Sequence, residues 1–240
     1  MDIAVFDALQ AARQAKQPVA LVTALASGGQ CLLGDDGQLI GASAGAPNLT
    51  TADIAAVLTR LGDDRSGRLD DAGLFVHVHS PAPRLLIVGA VHISQALAPM
   101  AAIAGYAVSI IDPRGSFATE ARFPGVTLID EWPDEAMDEL DPDRRTAVVT
   151  LTHDPKLDDP ALLVALRSPA FYITALGSRR THAKRVDRLT EAGLSADHLA
   201  RLHAPAGLDI GAVSPAEIAV SIMAEMTAVR HRRPTRMAAD

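Results

Sequence analysis

Four short segments of this chain concentrate groups able to hold an anion or move a proton. Ala175-Leu176-Gly177-Ser178-Arg179-Arg180-Thr181-His182 places a glycine and a serine just ahead of two arginines. At a helix start, free backbone amides point at a ligand, and guanidinium groups grip phosphate through paired hydrogen bonds. Arginines there oppose the helix dipole, so they cost stability unless an anion accompanies them. The segment reads as an anion site at Gly177, Ser178, Arg179 and Arg180; the alternative is a solvated basic helix from Arg179 to Arg188.

A second segment, Leu151-Thr152-His153-Asp154-Pro155-Lys156-Leu157-Asp158-Asp159-Pro160, gathers a histidine, a lysine and three carboxylates. Imidazole as a side-chain type can serve as acid, base or ligand, which makes His153 a candidate for any of these, and Asp154 stands beside it. In the plainer reading Asp158 and Asp159 are helix caps and His153 is a loop residue. The third segment, Gly89-Ala90-Val91-His92-Ile93-Ser94, follows an apolar run. It partly fits the dinucleotide fingerprint, with Gly89 first and a small Ser94 third. Val91 stands where a second glycine would let backbone approach a pyrophosphate, and Asp112 downstream could accept a ribose hydroxyl. The alternative is a simple tight turn. The fourth, His203 to Ala212, holds Asp209 and Gly211, where Asp209 either meets ligand or turns the chain.

Other candidates are weaker. His77 and His79 share one strand face, yet no third ligand lies near them in sequence, so no metal site is expected. Cys31 lies in the apolar stretch QCLLG and reads as an inert thiol. There is no G-x-S-x-G elbow, P-loop or Tyr-x-x-x-Lys pair, and no catalytic residue is assigned.

These segments need a frame to bring them together. From residue 84 onward, buried-type strands alternate with helices: RLLIVGA, YAVSIID, VTLID, TAVVTLT and FYITAL are separated by helical stretches. One such helix contains Pro99, which removes the bond to Gln95 at a cost of ~3 kcal/mol. Another is expected to begin at Asp159-Pro160, and Ser214-Pro215-Ala216-Glu217 is a capping box opening the last. This alternation predicts an α/β fold, a Rossmann-like doubly wound parallel sheet whose ligand loops lie at the strands' carboxyl ends. Residues 1–80 predict a smaller α/β domain: an amphipathic helix, a hairpin at Asp35-Asp36-Gly37, a capping box at Thr50–Asp53 and an alternating strand at 74–80. Pro81-Ala82-Pro83 marks a linker, giving domains at 1–80 and 84–230, and 231–240 reads as a frayed tail.

Composition narrows the classes. The 240 residues carry 22 basic and 29 acidic groups, a formal charge of −7, which gives no support to a nucleic-acid binder. A single cysteine excludes an intramolecular disulfide or a multi-cysteine metal site within one chain. Apolar runs fall short of the ~20 residues of a membrane span, and no secretory signal is seen. A soluble, cytoplasmic protein is expected.

Taken in order, LLIVGAVHISQALA, SIIDPRGSFATEARFP, VVTLTHDPKLDDPAL, SPAFYITALGSRRTHAKR and HAPAGLDIGAVSPAEIAVSIMAE resemble the XdhC/CoxI family of accessory factors for xanthine and carbon monoxide dehydrogenases. The resemblance covers residues 84–230. It implies a chaperone rather than a turnover enzyme. Such a factor binds the molybdenum cofactor (molybdopterin, in some cases as a nucleotide), protects it during sulfuration and delivers it to an apo molybdenum hydroxylase. The implied partners are that apo-enzyme and a cysteine desulfurase, with self-association into a homo-oligomer such as a homodimer. Phosphate would suit Gly177–Arg180, and the polar pterin the loops of His153, Asp154 and Asp209. An NAD(P)-dependent oxidoreductase, or a paralogue that keeps the fold without the ligand, are the alternatives. Two departures stand out. Relatives usually read Gly-Ala-Gly-His at the first turn, where this chain has Val91 before His92. They commonly carry Gly-Gly-Gly-Cys in the amino-terminal domain, where this chain reads Leu39 to Ala46 without cysteine.

Overall fold

The computed structural model of the protein describes residues 2–231. The chain divides into two compact units, one ending at Pro81 and the other beginning at Ala82. The tail expected at 231–240 lies outside the described residues, apart from His231.

The first unit opens with α1 (Ile3–Gln14), capped by the Asp2 side chain, which accepts from the Ala4 N–H at 2.9 Å. Val5, Leu9 and Ala12 fall on its buried stripe, the helical spacing. The remaining elements are β1 (Val19–Ala24), β2 (Gln30–Gly34), β3 (Leu39–Ala42), α2 (Thr51–Gly62), β4 (Gly67–Leu69) and β5 (Leu74–His79). The strands pair antiparallel in the order β3-β2-β1-β5-β4. The expected hairpin joins β2 to β3, with Gly37 in the left-handed region at φ +78°. The Thr50–Asp53 capping box also forms: Thr50 Oγ1 accepts from the Asp53 N–H at 3.2 Å, and Asp53 accepts from the Thr50 N–H at 2.9 Å. Strand β4 escaped the sequence reading because three residues are too few to show alternation. Cys31 is buried, and burial pushes its thiol pKa up. His77 and His79 stack with ring centroids 4.1 Å apart. Among the described residues no group of three or more side chains is placed to hold a metal.

The second unit runs β6 (Arg84–Val88), α3 (His92–Ile103), β7 (Ala107–Ile111), β8 (Thr127–Ile129), α4 (Pro133–Leu140) and β9 (Thr146–Thr150). It continues with α5 (Pro155–Arg167), β10 (Tyr172–Ala175), α6 (Arg179–Glu191), α7 (Ala196–Leu199), β11 (Leu202–His203) and α8 (Pro215–Arg230). All six strands pair parallel, in the order β11-β10-β9-β6-β7-β8. Counted within the unit this is the doubly wound order 3-2-1-4-5-6, with its reversal between β6 and β9. Successive strand residues face opposite sides. Leu85 and Ile87 therefore pack into a core with α3 and α8, while Leu86 and Val88 pack into a second core with α4 and α5. Helices thus cover both faces of the sheet. No helix of the described residues is long and apolar enough to cross a membrane.

Two helices differ from expectation. Helix α5 begins a turn earlier than Asp159-Pro160, because Asp154-Pro155 is itself a cap followed by a proline at the first helical position. Asp154 Oδ1 accepts from the Lys156 N–H at 2.9 Å. The earlier start gathers Leu157, Asp158, Ala161, Leu162, Ala165 and Leu166 onto one buried face. That packing outweighs the interior Pro160, so Asp158 and Asp159 lie within the helix and are not its caps. Helix α3 likewise runs through Pro99, held by Leu97, Ala98 and Ala101 in the core it shares with α8.

Candidate functional site

Because every strand of the second unit is parallel, the loops after β6, β7, β9, β10 and β11 all leave from one edge of the sheet. Those loops carry the segments singled out in the sequence.

At the switch point, Gly89 has φ +108°, and a Cβ there would lie 2.6 Å from Thr152 Cγ2. The turn after β6 is thus pressed against the turn after β9, which glycine alone permits. Ser94 closes this turn, its hydroxyl donating to the Gly89 carbonyl and accepting from the Val91 N–H at 3.3 Å. Val91 itself has an ordinary φ of −104° and packs against the α3–α8 core. His92 is exposed at the first position of α3.

Asp112 does something other than meet a ribose. It is fully buried, with Oδ2 accepting from the Ala90 N–H at 2.8 Å and from Arg114 Nη2 at 2.7 Å. Oδ1 takes the Arg114 N–H at 3.0 Å and Nε at 2.8 Å. Burial raises its pKa, but the Arg114 and Ala90 hydrogen bonds reverse that and hold the carboxyl low. With both oxygens committed, Asp112 pins the Gly89 turn and cannot also accept from a sugar. This corrects its expected role as a ligand contact.

The turn after β9 is tighter than its composition suggested. His153 is exposed and sits at φ +63°, a conformation costing a side-chain-bearing residue roughly 1–2 kcal/mol. Asp154 is the cap of α5, and its N–H donates to Thr152 Oγ1 at 3.0 Å. Thr152 Oγ1 in turn donates to Asp158 Oδ1 at 2.7 Å.

The basic helix α6 is solvated along part of its surface and buries Arg185 and Leu189. Its cap is Ser178, whose Oγ accepts from the Thr181 N–H at 3.2 Å. Gly177 precedes it at φ +146°, where a Cβ would lie 3.2 Å from two atoms of the Thr181 side chain and 3.8 Å from Arg185 Nη1. Arg179 and Arg180 are exposed, but Arg185 is only 2% exposed. Its Nη2 donates to the Leu176 carbonyl at 3.0 Å and reaches Asp158 Oδ2 at 3.5 Å. Arg188 pairs with Asp159 through two contacts, at 2.5 and 3.0 Å. Two of the basic residues are therefore matched by the two carboxylates first read as caps.

Burial dominates the Asp158–Arg185 pair. It pushes the Asp158 pKa up despite the Thr152 hydrogen bond and Arg185, and it pulls the Arg185 pKa down despite Asp158 and Asp159. Both groups move toward neutrality, as when desolvation exceeds the attraction within a buried pair. Arg185 is also under-partnered: its Nε and Nη1 atoms are buried and meet no hydrogen-bond acceptor. It lines a cavity of about 250 Å³ together with His153, Pro155, Arg180, Thr181, Lys184 and Arg188.

Asp209 and Gly211 lie exposed on the loop after β11 and do not line that cavity. Their loop is anchored by Glu225, which accepts from Tyr172 Oη at 2.6 Å and the Gly207 N–H at 3.1 Å and meets His203 Nδ1 at 3.1 Å. Of the residues picked from sequence, His153 and Arg180 share the cavity, with Gly177 and Ser178 forming the turn beside it. Lys184, Arg185 and the pairing of Arg185 with Asp158 were missed, and Thr181, inside the segment, was given no role. The available signal was spacing, since Thr181, Arg185 and Leu189 stand four apart and so lie on the inward side of α6.

Residues 85–226 match the XdhC Rossmann domain family. The chain belongs to that family. It is 34% identical over 150 residues to the molybdenum cofactor insertion chaperone PaoD of Escherichia coli strain K12, covering 62% of this chain and 41% of that protein. Against a probable xanthine dehydrogenase subunit from Bacillus subtilis strain 168 the identity is 33% over 160 residues, covering 66% and 46% respectively. This chain therefore spans less than half the length of either relative. A crystal structure of a xanthine dehydrogenase from Bacillus halodurans shares the fold with a TM-score of 0.72. At 24% identity it covers 95% of this chain and 68% of that one.

Proposed function

We propose that this XdhC-family chain is a maturation factor that binds the molybdenum cofactor and supports its sulfuration and its insertion into an apo molybdenum hydroxylase of the xanthine or carbon monoxide dehydrogenase type. The observation that carries this reading is the under-partnered Arg185 in a cation-rich cavity at the carboxyl edge of the sheet. The likeness to a molybdenum cofactor insertion chaperone supports it. The residues fit an anionic group: orphaned buried donors lower their energy when an acceptor arrives, and the start of α6 supplies free amides.

In this reading Gly177, Ser178, Arg179 and Arg180 hold the cofactor's phosphate end. His153, Asp154 and the loop of Asp209 and Gly211 face its polar pterin, while Gly89, His92 and Asp112 shape the adjoining turn. When bound, the cofactor supplies the molybdenum centre that the acceptor enzyme uses. The chain's own part is to orient and shelter it, which needs no catalytic residue; the apo-enzyme and a cysteine desulfurase are the proposed partners, and self-association is part of the same proposal. The nicotinamide alternative is disfavoured by Asp112, whose oxygens are both occupied.

The test is to purify the protein from a molybdopterin-competent host, oxidise it and measure pterin fluorescence. Stoichiometric pterin is expected. A protein that neither retains pterin nor binds added cofactor would overturn the reading.

A further inference from the structure

The cavity between the starts of α5 and α6 holds more positive charge than the chain itself neutralises. Of its cationic residues, Arg185 and Arg188 face Asp158 and Asp159, whereas Arg180 and Lys184 remain as surplus charge beside His153. Arg185 presents Nε and Nη1 donors that nothing in the described chain accepts. A buried guanidinium with two unmet donors is costly to maintain, and an anionic oxygen reaching Nη1 would lower that cost through a charge-assisted hydrogen bond. The backbone is arranged to the same end. Gly177 at φ +146° turns the chain into α6, and the first turns of α5 and α6, at Pro155 and at Arg180–Thr181, border the cavity.

We propose that this cavity is a subsite for a terminal phosphate group, a dianionic phosphate monoester, with Arg185 Nη1, Lys184 and Arg180 as its donors and Thr152–Asp158 as the support that holds Arg185 in place. It rests on the cofactor-binding reading for the molecule that carries the phosphate, but the site itself rests on Arg185 and its neighbours. It differs from a simple Gly177–Arg180 turn in putting the buried Arg185 at its centre and Lys184 at its rim.

The experiment uses the full chain, free of phosphate, titrated with inorganic phosphate. The Arg185 side-chain Nε–H resonance is followed by NMR, assigned by its loss in Arg185→Lys, and affinity is measured by calorimetry. Binding is expected to shift the Arg185 Nε–H signal saturably. The exposed pair Arg180→Glu and Lys184→Glu, which leaves the core intact, is expected to weaken phosphate about ten- to a hundredfold. An Arg185 signal unmoved at saturating phosphate, or unchanged affinity in the Arg180→Glu/Lys184→Glu variant, overturns the subsite. Retained pterin is measured on the same preparations. Phosphate binding at Arg185 in a protein that holds no pterin would uphold the subsite while removing the cofactor reading. Pterin retained by a protein whose Arg185 ignores phosphate would do the reverse.

Discussion

Replacing Arg185 by methionine should make the second unit more stable in mild acid, not less. Arginine at this position is 2% exposed and leaves Nε and Nη1 without acceptors, each at a cost of about 1–3 kcal/mol. Against that, Arg185→Met gives up the 3.0 Å hydrogen bond to the Leu176 carbonyl, about 1 kcal/mol. It also gives up the 3.5 Å contact with Asp158, whose attraction burial already exceeds. Asp158 then takes up a proton and keeps its hydrogen bond with Thr152, so no bare charge is stranded. Methionine fills the space with a flexible apolar chain. The net expectation is a gain of roughly 1–3 kcal/mol at about pH 4, and a loss at neutral pH, where holding a carboxyl protonated costs about 4 kcal/mol against its ionised unfolded state. Urea unfolding in phosphate-free buffer measures it, followed by fluorescence of Trp132, the single tryptophan of the chain, which lies in this unit. The pH dependence has a defined sign. A carboxyl whose folded pKa is raised contributes stability that is present at low pH and lost as pH rises through that value. Removing Arg185 raises Asp158 further, so the advantage of Arg185→Met is full in acid and shrinks as pH rises through the Asp158 titration. A variant destabilised by more than about 1 kcal/mol at about pH 4 would show that the Asp158–Arg185 contact is a net structural gain, and would refute the reasoning.

Two other substitutions test how the site is held. Gly89→Ala should cost about 2–4 kcal/mol from backbone strain and overpacking; adding Thr152→Ser, which removes the methyl 2.6 Å from the new Cβ, should recover part of it in the melting temperature. Glu225 is held below its usual pKa by His203 and Tyr172, although burial alone would raise it, so the stability it contributes is present above the ordinary carboxylate range and lost as pH falls through its lowered value. Tyr172→Phe should cost about 1.5–3 kcal/mol at neutral pH and flatten that acid limb in pH-dependent unfolding; an unchanged limb would show that the cluster does not anchor the Asp209 loop.

Much of the fold was legible because its signals are local. Unbroken apolar strands such as TAVVTLT belong to sheets buried on both faces, and the capping boxes at Thr50–Asp53 and Ser214–Glu217 mark helix starts within four residues. Where two local signals competed, sequence could not choose. Asp154-Pro155 and Asp159-Pro160 are equally good helix starts on paper, and only the burial of Leu157 and Asp158 in the folded unit selects the first. Asp112 had the spacing of a ribose acceptor, but Arg114, two residues away, occupies it.

Sequence by itself determined the alternation of strands and helices, and with it the parallel sheet that sends the Gly89, His153 and Gly177 segments to one edge. The strand-to-helix turns are written in glycines and caps, which act within a few residues. Tertiary structure decided which charges are available at that edge. Asp158 and Arg185 are 27 residues apart in the chain, and so are far too distant for any periodicity to pair them. Their burial together turns a stretch of basic helix into a mixture of matched ion pairs, surplus cations and one arginine still short of acceptors. Charge is read from composition, but its compensation depends on distances that only folding sets.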